Sequence, residues 1–360
     1  MKLSGRMWIT LCGVVALSAV TLGTAVAQDA LTIVSWGGAY AKSQVEAYHK
    51  PFTEMTGVKI LSEDYNGGLA QIKAQVESGN VTWSVVDVEL SDALRGCEEG
   101  ILEPIPTSIL PSAPDGTPVD QDFIPGMLQE CAVGTIVWAT VFAFNGDKFE
   151  GDKPTTLKDF FDTKKFPGKR GLRKSPRVTL EWALMADGVP ADQVYEVLST
   201  EAGVARAFAK LDTIKADTVW WEAGAQPPQL LADGEVVMTS AYNGRLYNAV
   251  FKEGKNFVIV WDGQVWDQDL WVIPKGAKNL KAIHQFIAFS TDTQRLADQT
   301  KYISYGPGRR SSMKLVGDDV KPHLPTEQKN FKNALQNNFE WWADNNDEMN
   351  ERFVAWLAKK

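Results

Sequence analysis

The chain contains little histidine and little cysteine, which limits the chemistry it can carry. Its 360 residues include three histidines, His49, His284 and His323, and none lies near a cysteine in the sequence. A catalytic cysteine needs a general base beside it. The sequence therefore gives no sign of cysteine-based catalysis.

Enzyme motifs are also missing. The chain has no Gly-x-Ser-x-Gly nucleophile turn, no His-Glu-x-x-His zinc helix and no Gly-x-x-x-x-Gly-Lys-Ser/Thr phosphate loop. Gly37-Gly38 follows a predicted strand but lacks the rest of a phosphate-binding fingerprint. We expect no enzyme activity, no cofactor and no metal.

Positive charge is in deficit. The chain has 37 Lys and Arg against 45 Asp and Glu, for a net charge of -8. Loss of Lys2 and Arg6 with an N-terminal signal would change -8 to -10. This balance argues against a nucleic-acid or anionic-membrane surface.

The one long hydrophobic run lies at the N-terminus. Lys2 and Arg6 precede an apolar stretch at 7–20, and Ala25-Val26-Ala27 has the small residues of a cleavage site. The alternative is a membrane anchor, but polar residues and glycine at 18–24 interrupt the run before it reaches about 20 residues. We expect residues 1–27 to be a cleaved signal peptide and the protein to be periplasmic.

Two cysteines, Cys97 and Cys131, remain after that cleavage. In an oxidising compartment such a pair most simply forms a disulfide, although two buried thiols are the alternative. The closed loop would stabilise the fold by roughly 3 to 4 kcal/mol in the chain-entropy model.

Strands and helices alternate in the first third of the chain, a pattern that predicts a parallel sheet flanked by helices. The predicted strands are Leu31–Ser35, Val58–Ser62 and Val85–Glu89, and the predicted helices are Ser43–Thr56, Leu69–Glu77 and one capped by Ser91.

The run Val133–Asn145 predicts a strand that crosses to a second α/β lobe. Strands at Val236–Ala241, Phe257–Trp261 and Leu270–Ile273 follow. We expect the tryptophans of the last helices, Trp341, Trp342 and Trp356, to anchor packing.

Aromatic and acidic residues follow several of these strands, and ligands of open parallel sheets bind at the carboxyl ends of strands. Together such residues can bind an ammonium group through ring faces and charge-assisted hydrogen bonds. Each residue also has a plain structural explanation: the tryptophans as core and Glu89 as a helix cap. The set consists of Trp36, Tyr40, Glu89, Tyr242, Trp266 and Asp269.

Short motifs in this order resemble the periplasmic solute-binding proteins of ABC importers related to the spermidine/putrescine-binding proteins. The resemblance spans nearly all of the chain after the signal. It rests on Ser35-Trp36-Gly37-Gly38-Ala39-Tyr40, Glu99-Gly100-Ile101-Leu102-Glu103-Pro104, Trp221-Glu222-Ala223-Gly224-Ala225-Gln226, Leu231-Ala232-Asp233-Gly234-Glu235-Val236, Tyr242-Asn243-Gly244-Arg245, Asp269-Leu270-Trp271-Val272-Ile273-Pro274 and Tyr305-Gly306-Pro307.

The resemblance implies a two-lobed α/β clamp, each lobe a mixed sheet flanked by helices, with two hinge crossings. We expect lobe 1 at 28–140 plus 268–313 and lobe 2 at 141–267 plus 314–360. It also implies that Trp36, Tyr40, Tyr242 and Tyr305 surround the solute and that Asp269 holds an ammonium. Trp266 matches the family spacing less well.

Polyamine binders of this kind carry acids where this chain has Arg173-Lys174-Ser175-Pro176-Arg177. An arginine such as Arg177 fits a carboxylate bidentately, which favours a zwitterion. Glu222 can restore the missing negative charge, and a basic surface patch is the structural alternative for the arginines.

The leading hypothesis is a monomeric receptor that captures a small amine-bearing solute, a polyamine such as putrescine or spermidine, and delivers it to an inner-membrane ABC permease. The first alternative is a zwitterion such as gamma-aminobutyrate on the same scaffold. A secreted hydrolase or transferase is the alternative of a different class.

Overall fold

The computed structural model describes residues 30–359, so the predicted signal peptide lies outside the described residues. No helix in this part of the chain is long and apolar enough to cross a membrane. The strands are β1 (Leu31–Ser35), β2 (Ile60–Asp64), β3 (Val85–Glu89), β4 (Leu128–Gln129), β5 (Ala132–Asn145), β6 (Arg170–Arg173), β7 (Thr218–Trp221), β8 (Met238–Tyr242), β9 (Phe257–Val272), β10 (Gly306–Pro307) and β11 (Leu335–Gln336).

Helices connect these strands, and π-helical turns at Val45–His49 and Asn248–Lys252 extend two of them. The α-helices are α1 (Gly38–Gln44), α2 (Lys50–Thr56), α3 (Ala70–Ser78), α4 (Leu90–Glu98), α5 (Val119–Asp122), α6 (Leu157–Phe161), α7 (Thr179–Ala186), α8 (Val194–Leu198), α9 (Glu201–Asp212), α10 (Gln226–Ala232), α11 (Asn243–Tyr247), α12 (Leu280–Ser290), α13 (Thr293–Gln299), α14 (Arg310–Met313) and α15 (Phe339–Ala358).

A mixed sheet with the strand order β2-β1-β3-β9-β5-β8-β6-β7 runs through the molecule. At one end β1 pairs in parallel with β2 and β3, and at the other β6 pairs in parallel with β7 and β8. The antiparallel pair β5 and β9 joins the two ends. Almost every residue of β5 is buried, as expected for a strand covered on both faces. The predicted mixed α/β fold with two strand crossings is confirmed.

The apolar cores lie on either side of these crossings. One contains Tyr48, Phe52 and Phe286, and the other contains Trp182 and Trp342. This packing supports the predicted limits of lobe 1 (28–140 plus 268–313) and lobe 2 (141–267 plus 314–360), which we keep as our proposal and use as names. Helix α15 packs Trp342 and Trp356 into the second core, as predicted.

Three predicted elements were wrong in detail. The strands predicted at Phe257–Trp261 and Leu270–Ile273 are one strand, β9. Between them Gly263 has a φ of 74°, and the pairing with β5 shifts in register. The polar Gln264 is buried because its amide donates to the carbonyls of Pro325 and Asn330. Helix α4 begins at Leu90, before Ser91, and has no side-chain cap.

The predicted disulfide is present. Cys97 and Cys131 are bonded, with their Cα atoms 5.7 Å apart. The bond joins the end of α4 to the residue before β5, so it lies within lobe 1.

Candidate functional site

The parallel strands of both lobes end at a shared cavity of about 380 Å³. Trp36 follows β1, Glu89 ends β3 and Arg173 ends β6. Glu222 follows β7, and Arg177 precedes α7. All five line this cavity, so it lies between the lobes at the place where the topology predicts a ligand site.

Beside this cavity lies a buried set of aromatic residues that we call the interlobe aromatic cluster: Tyr40, Trp138, Trp221, Tyr242 and Tyr305. The rings pack edge to face, with centroid distances of 5.3 Å for Tyr40–Tyr305, 5.1 Å for Trp138–Tyr242 and 5.7 Å for Trp221–Tyr242. Such rings can hold an alkyl chain or face a cation.

Asp269 contributes a buried carboxylate next to this cluster. Its Oδ1 accepts a hydrogen bond of 2.6 Å from Nε1 of Trp138. In the antiparallel register it lies directly opposite Glu89 of β3. Burial raises the pKa of Asp269 well above its ordinary value, and nearby Asp87 raises it further.

Glu89 links the lobes through two arginines. Arg177 Nη1 forms an ion pair with Glu89 Oε2, and Arg173 Nη1 lies 3.4 Å from Oε1. Arg177 also stacks over Trp342 at 5.4 Å. Val178, the next residue, has a φ of 68°, a conformation that β-branched residues rarely adopt. Arg177 is therefore held by lobe 2 against an acid of lobe 1.

Arg173 is less enclosed than Arg177. Its side chain is 21 % exposed, against 7 % for Arg177. The guanidinium lies 5.8 Å from the ring of Trp36 and 6.0 Å from that of Tyr242. It therefore spans from the cavity to the interlobe aromatic cluster.

Arg245 is a site residue that was not predicted from the sequence. This residue of α11 is buried, and it donates hydrogen bonds to the carbonyls of Trp36 at 2.8 Å and Gly37 at 3.0 Å in the other lobe. Its Nε has no hydrogen-bond partner among the described residues. The sequence contained a signal for this residue: Arg245 lies in the first turn of the helix that follows Tyr242, which was itself predicted as a site residue.

Gly224 makes room for this arginine. A Cβ atom on Gly224 would lie 2.8 Å from Arg245 Nε and 2.8 Å from the Tyr242 ring. Burial raises the pKa of the Tyr305 phenol, while the charge of Arg245 lowers this pKa and the charge of Asp269 raises it. Asp269 and Arg245 therefore both influence the pKa of Tyr305.

Two predicted residues lie outside this arrangement. Trp266 packs against the apolar cores, with its ring 6.3 Å from that of Phe331. Glu222 lines the cavity, but its side chain is 64 % exposed and pairs with Lys174 at 2.9 Å. Neither takes part in the buried set around Asp269.

Some buried charged side chains near the interlobe aromatic cluster have an oppositely charged partner, and others do not. Glu89 pairs with both Arg173 and Arg177. Among residues 30–359, Asp269 has no cationic partner and Arg245 no anionic one within ion-pair distance. A buried charge is costly unless it is paired. Asp87 and Asp267 are also buried acids without an ion-pair partner among the described residues. Asp269 and Arg245 are the acid and the base that a bound solute can neutralise.

Comparison with known proteins identifies the family. A family model described as bacterial extracellular solute-binding protein matches residues 47–326. The chain belongs to this family. It is a solute-binding protein rather than an enzyme, and proteins of this kind deliver solutes to ABC permeases.

Similar solute-binding proteins cover nearly the whole chain. The gamma-aminobutyric acid-binding protein of Pseudomonas aeruginosa is 44 % identical over 331 residues, which are 92 % of each chain. A solved structure of a GABA receptor has a TM-score of 0.79 and 34 % identity, covering 92 % of this chain and 98 % of its own. An ABC transporter substrate-binding protein from Bradyrhizobium japonicum has a TM-score of 0.80 and 34 % identity, covering 91 % of this chain and 99 % of its own.

A spermidine/putrescine-binding protein from Streptococcus pneumoniae is 15 % identical, with a TM-score of 0.69, covering 92 % of this chain and all of its own. This likeness shows the fold alone. The predicted family is confirmed, whereas polyamine binding is not.

Proposed function

We propose that this protein is the periplasmic receptor of an ABC importer and that its solute is a small ω-amino acid, with gamma-aminobutyrate (GABA) as the best candidate. The observation that carries the proposal is the pair of buried, unpartnered charges, Asp269 and Arg245. A zwitterion supplies one charge of each sign and neutralises both. The GABA-binding relatives support the same conclusion.

In this arrangement the solute's ammonium group pairs with Asp269, and its carboxylate pairs with Arg245. The guanidinium keeps its hydrogen bonds to the carbonyls of lobe 1, so its position is set before the solute binds. Tyr40, Tyr242 and Tyr305 surround the methylene chain.

A diamine fits this site less well than a zwitterion. Its second ammonium would face the buried guanidinium of Arg245, and like charges in a low-dielectric site repel strongly. The leading polyamine hypothesis is therefore replaced by its zwitterion alternative.

Closure follows from where these groups lie. Asp269 belongs to lobe 1 and Arg245 to lobe 2, so a solute that contacts both binds the closed form more tightly than the open one. A monomeric receptor that closes in this way can present its solute to the permease.

The roles of the arginines can be separated by calorimetry with GABA and its neutral amide, 4-aminobutanamide. Arg245→Gln should weaken GABA about 30-fold or more, because loss of one partner of a buried charge pair costs about 2 to 5 kcal/mol. The amide should be affected much less. Asp269→Asn should weaken both ligands.

Two further arginine variants serve as controls. Arg177→Gln removes the bridge to Glu89 and should weaken both ligands by the same factor. Arg206→Gln changes an exposed arginine that pairs with Asp187 at 2.6 Å, and it should change neither affinity. If Arg245→Gln weakens the amide as much as GABA, Arg245 does not bind the carboxylate.

A further inference from the structure

Helix α15 belongs to lobe 2 but also contacts α4 of lobe 1. Trp342 and Trp356 pack it into the core of lobe 2, whereas Phe339, its first residue, packs against an apolar cluster of lobe 1 that contains Leu90 of α4. Further along α15, Asn346 lines the interlobe cavity. The helix therefore forms one wall of the cleft and touches both lobes.

An ion pair joins α15 to α4 across the boundary between the lobes. Nη1 of Arg95 in α4 lies 2.7 Å from Oδ1 of Asp347 in α15. The hydrogen bond from Arg95 lowers the pKa of Asp347, so this carboxylate is ionised at neutral pH. The Asp347 side chain is 87 % exposed, and neither residue lines the interlobe cavity. The pair therefore lies at the outer edge of the cleft and does not touch a solute inside it.

Acids of its own helix hold Arg95 in position. Its Nη2 lies 3.8 Å from Oδ1 of Asp92, and its Nε lies 3.9 Å from Oε1 of Glu99. These residues are three and four positions away, the spacings at which side chains of one helix meet. The direction of the guanidinium is therefore set within lobe 1.

Asp92 connects this pair to the charges at the cavity. Its Oδ1 lies 4.0 Å from Nη2 of Arg177, which also pairs with Glu89 and donates a hydrogen bond of 3.3 Å to Oδ1 of Asn346. A network of several charges contributes more than an isolated exposed pair. From the cavity outward its charges alternate in sign, in the order Glu89, Arg177, Asp92, Arg95 and Asp347.

We propose that Arg95 and Asp347 form a closure latch, an ion pair that forms only when the lobes close and that slows release of the bound solute. The two residues belong to different lobes, so opening of the cleft separates them. They are positioning residues, since they act on the solute only by holding α15 against α4. This inference rests on the proposed function, in which closure encloses the solute.

The kinetics of GABA binding distinguish a latch from a static structural contact. The solute meets the open form, in which the latch is apart, and leaves from the closed form, in which the latch is made. Loss of the latch should therefore raise the dissociation rate and leave the association rate unchanged. A contact that persists in the open form would affect stability and neither rate.

The test is stopped-flow tryptophan fluorescence of the mature receptor with GABA. Asp347→Asn keeps the shape of the side chain and removes its charge. The dissociation rate should rise about 2- to 5-fold, the effect that an exposed ion pair can supply. Added NaCl should speed dissociation from the wild-type protein more than from this variant, because salt screens an exposed pair.

The matched control is Asp344→Asn, which removes the same charge from the same helix. Asp344 is exposed and has no ion-pair partner among residues 30–359. Both rates should stay at the wild-type values in this variant, so a general effect of net charge is excluded.

A double-mutant cycle assigns the effect to the pair. Arg95→Gln should also raise the dissociation rate, and adding Asp347→Asn to it should raise the rate no further, because the partner is already absent. An unchanged dissociation rate for Asp347→Asn, or additive effects in the double variant, would overturn the inference and leave the proposed function standing. A wild-type receptor that binds no GABA would contradict the proposed function, and the inference would fail with it.

Discussion

At the scale of single residues, the site contains some charged residues that form ion pairs and others that have no oppositely charged partner among the described residues. Glu89 and Arg177 are bonded across the cleft, so they contribute to closure. Asp269 is oriented by Trp138, and Arg245 is oriented by two carbonyls, yet both lack an opposite charge. In the proposed function, the paired residues bridge the lobes and the unpaired residues recognise the solute.

The position of the Trp36 ring can be tested with two neighbouring glycines. Gly67 and Gly68 have φ values of 86° and 79°, so alanine strains the backbone at both. A Cβ atom on Gly67 would lie 2.4 Å from the Trp36 ring, whereas one on Gly68 would meet nothing within 4 Å.

Gly67→Ala should therefore weaken GABA binding about 3- to 30-fold in calorimetry, the range expected for an aromatic contact with a cation. Gly68→Ala is the matched control and should lose similar stability without this loss of affinity. Equal affinities for the two variants would show that the Trp36 ring does not contact the solute.

At the scale of elements, the carboxyl ends of β1 and β3 were predicted correctly because Leu31–Ser35 and Val85–Glu89 are short apolar runs with clear ends. β6 and β7 were not predicted. Strand β6, Arg170–Arg173, begins and ends with arginine. The guanidinium of Arg170 is buried only because backbone carbonyls accept its hydrogen bonds.

Two site residues, Trp221 and Trp138, were not predicted. Trp221 ends β7, a strand that was also not predicted, and Trp138 lies within the crossing strand β5. Their place at the cleft depends on pairings between distant segments, which local patterns do not encode. Arg245 was missed although it lies just after Tyr242 in the sequence; its hydrogen-bond partners belong to the other lobe.

The disulfide gives a prediction at the scale of elements. The double change Cys97→Ser and Cys131→Ser should lower the free energy of unfolding by about 3 to 4 kcal/mol, because the bond closes a loop with a sequence separation of 34. The check is urea unfolding, with the reduced wild-type protein as control. The GABA affinity should stay the same, since neither cysteine lines the cleft. An unchanged midpoint would contradict the stabilising role.

At the scale of the whole molecule, two lobes meet around groups that neither lobe provides alone. Lobe 1 contributes Asp269, Tyr40 and Trp36, and lobe 2 contributes Arg245 and Tyr242. Two long strands, β5 and β9, are the sheet's connections between the lobes, so relative motion of the lobes changes the distance between the acid and the base. In the proposed function, solute charge and lobe closure are coupled through this geometry.

The central claim is that the receptor selects a solute with both charges. The most direct measurement is calorimetric titration of the wild-type protein with GABA and with putrescine in the same buffer at pH 8. We predict that one GABA binds per chain with a Kd in the micromolar range or lower, which corresponds to about 8 kcal/mol or more of binding free energy. Putrescine should bind at least about 100-fold more weakly, because a like charge beside Arg245 costs several kcal/mol. Putrescine binding as tight as GABA binding would contradict the claim.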